Sequence, residues 1–164
     1  MAVSQEELES LAAELGTALL RRGWMLAVAE SCTGGWAAQA LTAVAGSSVW
    51  FERGFVTYSN QAKKEMLGVN EETLSAYGAV SEEAAREMAQ GALARSQAQA
   101  TCAITGIAGP AGGTDEKPVG TVCFAWALEG SALVSDRQQF AGSRQAIRAQ
   151  SVRHALRNLL ALMP

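Results

Sequence analysis

The sequence is poor in the side chains that most often build hydrolytic and metal sites. Its 164 residues contain one histidine, His154, and three cysteines, Cys32, Cys102 and Cys123. The cysteines are widely spaced and form no CxxC pair, which argues against zinc, and we predict neither a metal nor another cofactor. A Ser-His-Asp arrangement is excluded unless His154 reaches a serine, and the apolar stripe of its helix predicts a packed position instead. Hydrolytic chemistry would therefore need a different base.

Charge and long hydrophobic runs are also scarce. Only 18% of the residues are charged, and the net charge of -3 offers no electrostatic footprint for nucleic acid. No apolar run approaches the roughly 18 residues of a membrane span, and the N-terminal MAVSQEELES lacks the basic-then-apolar layout of a signal peptide. We predict one cytoplasmic domain over residues 1–164, without nucleic-acid or membrane partners, and leave a homo-oligomer open.

Helical and strand patterns alternate along the chain, as is typical of α/β proteins. Trp24 to Ala29 is apolar without alternation, which predicts a strand that is buried on both faces. Capping residues predict helices that begin after Ser4, near Thr33, and after Ser59, Asn70, Ser81 and Ser143, with Gly23 and Gly68 as ends of the first and third. The remaining predicted strands are 49–58 (with Gly54 as a candidate bulge), 100–104, 121–128 and 132–140.

The stretch from Ala27 to Lys64 concentrates residues of the kind found in binding sites. Glu30, Ser31 and Thr33 follow the first strand, and Gly34 opens the next helix. A strand that feeds a helix N-terminus through small hydroxyl residues and glycine is a common way to build an anion or substrate pocket. Close packing of helix on strand is the alternative explanation for the glycines, and we favour the pocket.

Two further segments are expected to lie at the same edge of the sheet. Tyr58 ends a predicted strand and Lys63 lies in the first turns of the following helix. The loop from Thr105 to Gly120 is longer than most connections and follows another strand end, so we expect it to be functional rather than disordered. Arg144 and Arg148 begin the last helix, where they are expected to be solvated or to face a partner, with an anion contact as the alternative.

Three long segments resemble the CinA C-terminal-domain family. They are AESCTGG (29–35), GSSVWFERGFVTYSNQAK (46–63) and TGIAGPAGGTDEKPVGTV (105–122), with AGPAGG in place of a more glycine-rich AGPGGG. The resemblance implies a three-layer α/β/α sandwich with a mixed sheet. It also implies hydrolysis of the carboxamide of nicotinamide mononucleotide to nicotinate mononucleotide and ammonia, a step of pyridine nucleotide salvage in NAD metabolism. Some relatives carry an additional N-terminal domain, and some are known through competence and DNA damage.

Amide hydrolysis needs a nucleophile, a base and donors for the oxyanion, and a serine with a lysine can supply the first two. Lysine can act as a base only if its surroundings lower its pKa well below about 10.4. The resemblance implies a serine with Tyr58 and Lys63, and we favour Ser48 as that serine, with Ser31 as the alternative. The expected substrate-binding residues are Ser31, Thr33, Gly34, Gly46 and Thr105.

A non-catalytic nucleotide-binding module, regulatory and related to competence or damage, is the alternative function. Each site residue also has an ordinary explanation: Ser48 as a turn residue, Tyr58 as a strand aromatic, and Lys63 as a solvated lysine like Lys64. Their clustering favours an enzyme over a binder, and over a purely structural role, because a binder would not need a tyrosine and a lysine that meet at a strand end.

Overall fold

The computed structural model describes residues 2–164, in which six helices flank a five-stranded mixed sheet. The helices are α1 (Gln5–Arg22), α2 (Trp36–Thr42), α3 (Asn60–Leu67), α4 (Glu71–Tyr77), α5 (Glu82–Ala94) and α6 (Arg144–Leu162). The strands are β1 (Leu26–Glu30), β2 (Phe51–Val56), β3 (Ala100–Gly106), β4 (Thr121–Leu128) and β5 (Val134–Gln139), and a 3-10 turn spans Ser47–Val49. None of the helices in this range has the length and apolarity that a membrane span requires.

The sheet has the strand order β2-β1-β3-β4-β5. Strand β1 runs parallel to β2 and β3, whereas β4 is antiparallel to both β3 and β5. Parallel neighbours end at the same edge, so the carboxyl ends of β1, β2 and β3 lie side by side. The Thr57 amide donates to Glu30 O at 2.8 Å and the Ser31 amide to Ile104 O at 2.9 Å, which joins the segments that leave this edge.

Two hydrophobic layers cover the sheet. Along β1, Leu26 and Val28 pack with α1, α2 and α6 on one face, while Ala27 and Ala29 pack with α3, α4 and α5 on the other. The alternation follows from the two-residue period of a strand, and burial on both faces explains why the sequence of β1 is apolar throughout. The predicted three-layer α/β/α sandwich with a mixed sheet is confirmed.

Most helix boundaries follow the capping residues. The Ser4 side chain accepts a hydrogen bond from the Glu7 amide, and the Ser59 side chain accepts one from Ala62, so both helices start where predicted. Helix α1 ends at Gly23 and α3 ends at Gly68, each with the left-handed backbone that glycine tolerates best.

Two local predictions were wrong. Helix α2 begins at Trp36 rather than Thr33, because Gly34 and Gly35 have φ values of +58° and +102°, which a right-handed helix does not contain. The irregularity in β2 lies at Glu52 rather than Gly54, since Leu26 pairs with Phe51 and the next residue pairs with Arg53.

Candidate active site

A cavity of about 290 Å³ opens where the parallel strands end. Its walls come from the segments that follow β1, β2 and β3, from the turn between α4 and α5, and from the first residue of α6. The lining residues are Ser31, Cys32, Tyr58, Asn60, Lys63, Ala79, Val80, Thr105 to Gly109, Ala111, Gly112 and Arg144. Much of the predicted functional loop, 105–120, therefore lines the cavity.

At the floor of this cavity a buried lysine meets a serine. Lys63 Nζ donates hydrogen bonds to Ser31 Oγ at 2.9 Å and to the Thr57 carbonyl at 2.8 Å. Lys63 is only 1% exposed, and no carboxylate in residues 2–164 forms an ion pair with it. Burial therefore lowers the pKa of its ammonium below the usual value. A serine hydroxyl beside an amine that loses its proton readily can act as a nucleophile with its own base.

Ser31 lies in a tight turn, residues 31–34, which we call the β1 turn. The Ser31 carbonyl accepts a hydrogen bond from the Gly34 amide at 3.0 Å, and the positive φ of Gly34 permits the reversal. The preceding Glu30 is fully buried, and its carboxylate accepts hydrogen bonds from the amides of Gly35, Ala37 and Ala38. Glu30 therefore caps α2 and fixes the turn from one side.

Arg144 and Tyr58 form one rim of the cavity. Arg144 Nη1 donates to the Gly109 carbonyl at 2.8 Å, and Nη2 donates to the Tyr58 hydroxyl at 3.1 Å. Tyr58 is 63% exposed, so its ring lies at the entrance rather than beside the buried ammonium. The expectation for Arg144 was a solvated or partner-facing arginine, with an anion contact as the alternative, and its position at the rim of the cavity is compatible with an anion contact.

Thr105, one of the expected substrate-binding residues, lines the cavity, but its hydroxyl already has a hydrogen-bond partner. It is buried and donates a hydrogen bond to the Ala79 carbonyl at 2.8 Å. Ala79 and Val80 form part of the opposite wall. In this structure Thr105 therefore braces the wall of the cavity.

Ser48 and Gly46 do not lie near this cavity, and the expectation that Ser48 would meet Lys63 needs correction. Both belong to residues 46–49, which we call the β2 turn and which precede β2, whereas Tyr58 and Lys63 follow it. The six residues of β2 separate the two ends by roughly 20 Å at about 3.3 Å per residue. Ser48 and Gly46 are exposed, and a Cβ added at Gly46 would meet no atom within 4 Å.

Thr33 and Gly34, both expected to bind substrate, lie beside the cavity without lining it. The Thr33 side chain is fully buried, and its hydroxyl has no hydrogen-bond partner within residues 2–164. A Cβ at Gly34 would lie 3.5 Å from Arg148 Nη2, so this glycine faces the last helix. Of the predicted residues, the structure brings together Ser31, Tyr58, Lys63 and Thr105.

The sequence offers two other candidates, the Cys32 thiol as a nucleophile and the His154 imidazole as a base, and neither is suited to this cavity. Cys32 lines the cavity, but burial raises the pKa of its thiol to about 12, so the reactive thiolate is scarce near neutral pH. His154 Nε2 lies 2.7 Å from Asp136 Oδ2 and packs against Phe124, between α6 and β5, with no serine among its hydrogen-bond partners in residues 2–164. The same part of the chain contains no cluster of three or more His, Cys, Asp or Glu side chains that could hold a metal ion.

Residues 8–163 match the family model described as the CinA C-terminal domain. The chain belongs to this family. The nicotinamide-nucleotide amidohydrolase PncC of Escherichia coli (strain K12) is 52% identical over 157 residues, which cover 96% of this chain and 95% of that protein. The protein of the same name from Enterobacter agglomerans is 51% identical over 158 residues, 96% of either chain. The crystal structure of the competence/damage inducible protein CihA from Agrobacterium tumefaciens has a TM-score of 0.93 at 47% identity and covers 99% of this chain and 98% of its own.

Proposed function

We propose that this protein hydrolyses the carboxamide of nicotinamide mononucleotide to nicotinate mononucleotide and ammonia, with Ser31 as nucleophile and Lys63 as base. The observation that carries the proposal is the 2.9 Å hydrogen bond between a buried Lys63 ammonium and the Ser31 hydroxyl. The names of the two PncC relatives, which match nearly the whole chain, support the substrate. Ser31 thus replaces Ser48 as the proposed nucleophile.

The proposed reaction begins when neutral Lys63 accepts the proton of Ser31 Oγ as this oxygen attacks the carboxamide carbon. The tetrahedral intermediate collapses, the Lys63 ammonium returns a proton to the amide nitrogen, and ammonia leaves. Water then attacks the ester formed on Ser31 while Lys63 accepts a proton from the water. The acyl C–O bond to Ser31 Oγ breaks, Lys63 returns that proton to Oγ, and nicotinate mononucleotide is released. One buried amine can serve both half-reactions, because Lys63 takes a proton from Ser31, gives it to the leaving amide nitrogen, and is therefore neutral again when ammonia departs.

The Cys32 amide is the proposed donor to the developing oxyanion. In a trans peptide the N–H points opposite to the C=O, and the Ser31 carbonyl points towards the Gly34 amide, so the Cys32 N–H points out of the β1 turn. Cys32 lines the cavity, and its amide donates to no backbone carbonyl in residues 2–164. The amide of the residue that follows the serine nucleophile has the same role in α/β-hydrolases.

The charges around the cavity favour an anionic substrate. Among the described residues that line it, Arg144 and Lys63 are the only basic side chains, and no Asp or Glu is present. Because Lys63 is buried at the floor, the proposed phosphate partner is Arg144, whose guanidinium lies at the rim. Tyr58 would then orient Arg144 and present its ring to the pyridinium, rather than relay a proton to Lys63.

A non-catalytic nucleotide-binding module is the competing function. Burying a lysine without a carboxylate is costly, and binding alone gives no reason for that cost. The test is ammonia release from nicotinamide mononucleotide in the presence of EDTA, with nicotinate mononucleotide identified as the product. Nicotinamide riboside, which lacks the phosphate, should react with a much higher KM. Binding without ammonia release would instead support the non-catalytic module.

Two variants complete this test. Lys63→Ala should abolish ammonia release, and Tyr58→Phe should mainly raise KM, because the hydrogen bond to Arg144 is lost. Activity that disappears with EDTA and returns with a divalent metal would contradict a mechanism that needs no metal. The single domain over residues 1–164, the cytoplasmic location and the homo-oligomer stay predictions.

A further inference from the structure

Arg148 contacts the β1 turn through two of its backbone carbonyls. Its Nε donates to the Cys32 carbonyl at 3.0 Å, and its Nη2 donates to the Thr33 carbonyl, also at 3.0 Å. Cys32 and Thr33 are the two central residues of the turn, whose closing hydrogen bond joins Ser31 and Gly34. A single planar guanidinium therefore fixes two successive peptide planes.

The guanidinium is itself held in place. It lies over the ring of Trp36, with Cζ 5.4 Å from the ring centroid. The Trp36 indole donates to Gln5 Oε1 at 3.0 Å, and Gln5 also contacts Gln39 on α2. No carboxylate in residues 2–164 lies within ion-pair distance of Arg148, so its charge is directed at the carbonyls of the turn. The arginine is oriented before any substrate binds.

We infer that Arg148 is a positioning residue for the hydrolysis proposed above. It does not line the cavity, and it acts through the β1 turn. The two peptides that Arg148 holds directly follow the Ser31–Cys32 peptide, so they restrain the position of Ser31 Oγ, 2.9 Å from Lys63, and the direction of the Cys32 amide. Loss of the Arg148 hydrogen bonds would release these two peptides. The substrate contacts would stay intact, but Ser31 Oγ and the Cys32 amide would be misaligned. The inference rests on the proposed function.

The test compares variants of Arg148 with a matched arginine on the same helix. Arg153 is also half-buried, and its long contact is to Glu7 at 3.5 Å, away from the turn. Arg148→Gln should lower kcat by about 100-fold with KM within about twofold, which is the scale expected when reacting groups shift by about 1 Å. Arg153→Gln should leave both constants unchanged. The midpoint of the pH–rate profile should not move in either variant, because Arg148 does not contact Lys63.

Chemical rescue separates positioning from a general loss of stability. Arg148→Lys keeps the charge but cannot place two N–H groups on two carbonyls in one plane, so its kcat should stay low. Added methylguanidinium should restore part of the activity of Arg148→Ala and should not change that of Arg153→Gln. A kcat within twofold of wild type in both Arg148→Lys and Arg148→Gln would overturn the inference. A fall in kcat that is fully explained by a smaller fraction of folded protein would also overturn it.

A measurement without turnover distinguishes failure of this inference from failure of the proposed function. Hydrogen exchange of the Gly34 amide, which donates to the Ser31 carbonyl, should quicken at least about tenfold in Arg148→Gln and not in Arg153→Gln. If Ser31→Ala retains activity, the proposed function fails, whatever the exchange shows. If wild-type activity depends on Ser31 and the Gly34 exchange is unchanged in Arg148→Gln, only the positioning role of Arg148 fails.

Discussion

The β1 turn and the β2 turn are similar in composition and opposite in position. Each contains a serine and a glycine with positive φ next to a strand of the parallel part of the sheet. The β1 turn follows its strand and opens into the cavity, whereas the β2 turn precedes its strand and exposes Gly46 and Ser48. Residue type therefore does not distinguish a site from a scaffold turn here. Position relative to the direction of the strand does, because sites of open α/β sheets lie at the carboxyl ends of the strands.

Replacing Ser31 and Ser48 by alanine, one at a time, tests most directly whether only the β1 turn carries the nucleophile. Ser31→Ala removes the proposed nucleophile, and we expect kcat for ammonia release to fall by about 10³-fold or more. Ser48→Ala removes an exposed hydroxyl at the far end of β2 and should leave kcat within about twofold. Steady-state kinetics on both purified variants is the measurement. The reverse pattern would restore Ser48 as the nucleophile and would mean that the 2.9 Å contact is not catalytic.

The two adjacent lysines of α3 allow a second comparison. Lys63 is buried against Ser31, while the neighbouring Lys64 is partly exposed and pairs with Glu71. Lys63→Met should lower kcat by about 10²- to 10⁴-fold, the range of general-base catalysis, and Lys64→Met should have little effect. Because the base must be neutral, wild-type activity should rise with pH to a plateau whose midpoint lies below about 10.4. An equal loss in both variants would indicate damage to α3 rather than loss of a base.

Most of the fold was predictable, because the local signals agree with one another. The capping serines, the C-terminal glycines and the apolar run of β1 specify elements that the structure contains. The start of α2 was not predictable, because Gly34 and Gly35 are compatible with a helix in the sequence and take positive φ only where Glu30 and Arg148 hold the turn. Local residue preferences do not include these tertiary contacts.

The residues that line the cavity were predicted only in part, for a related reason. The edge of the sheet, Lys63 and Ser31 followed from the order of strands and helices along the chain. Ser48 was chosen because it is close in sequence to the strand that leads to Tyr58. The six extended residues of β2 lie between Ser48 and Tyr58, so the two residues are far apart in space. Arg144 and Arg148 were present as candidates, but their contacts are with residues about 35 to 116 positions away. Such pairings depend on the tertiary fold.

The burial of Lys63 also predicts a pH dependence of stability. Its pKa is lower in the folded protein than in the unfolded chain, so the unfolded chain binds the proton more tightly. Raising the pH from the lowered pKa to about 10.4 should therefore increase the free energy of unfolding of wild type relative to Lys63→Met, by about 1.4 kcal/mol for each unit of lowering. Urea unfolding of both proteins across this range measures the difference. If the difference in free energy of unfolding between wild type and Lys63→Met stayed constant or shrank as the pH rose, burial would not lower the pKa of Lys63.

Gly34 and Gly46 allow a comparison of similar backbone strain in the two turns, with stability and kcat measured separately. Gly34 and Gly46 have φ values of +58° and +81°, so alanine at either position should cost about 1–2 kcal/mol of stability. Only Gly34→Ala should also lower kcat, by about three- to tenfold, because its strain acts on the turn that carries Ser31. Thermal unfolding and kinetics on each variant separate the two effects. A matching loss of kcat in Gly46→Ala would show that the β2 turn also supports the site.

The smallest expected effect concerns Thr33, which the sequence suggested as a substrate contact. Its buried hydroxyl has no hydrogen-bond partner in residues 2–164, whereas the buried hydroxyl of Thr105 donates to the Ala79 carbonyl. Thr33→Val keeps the shape and removes a buried polar group, so stability should be unchanged or higher by up to about 1 kcal/mol, with KM within about twofold. Thr105→Val loses a buried hydrogen bond and should destabilise the protein by about 1–2 kcal/mol. Urea unfolding and KM measurements show whether the Thr33 hydroxyl is only a buried unpaired group or a substrate contact. A marked rise in KM of Thr33→Val with unchanged stability would mean that the hydroxyl contacts the substrate.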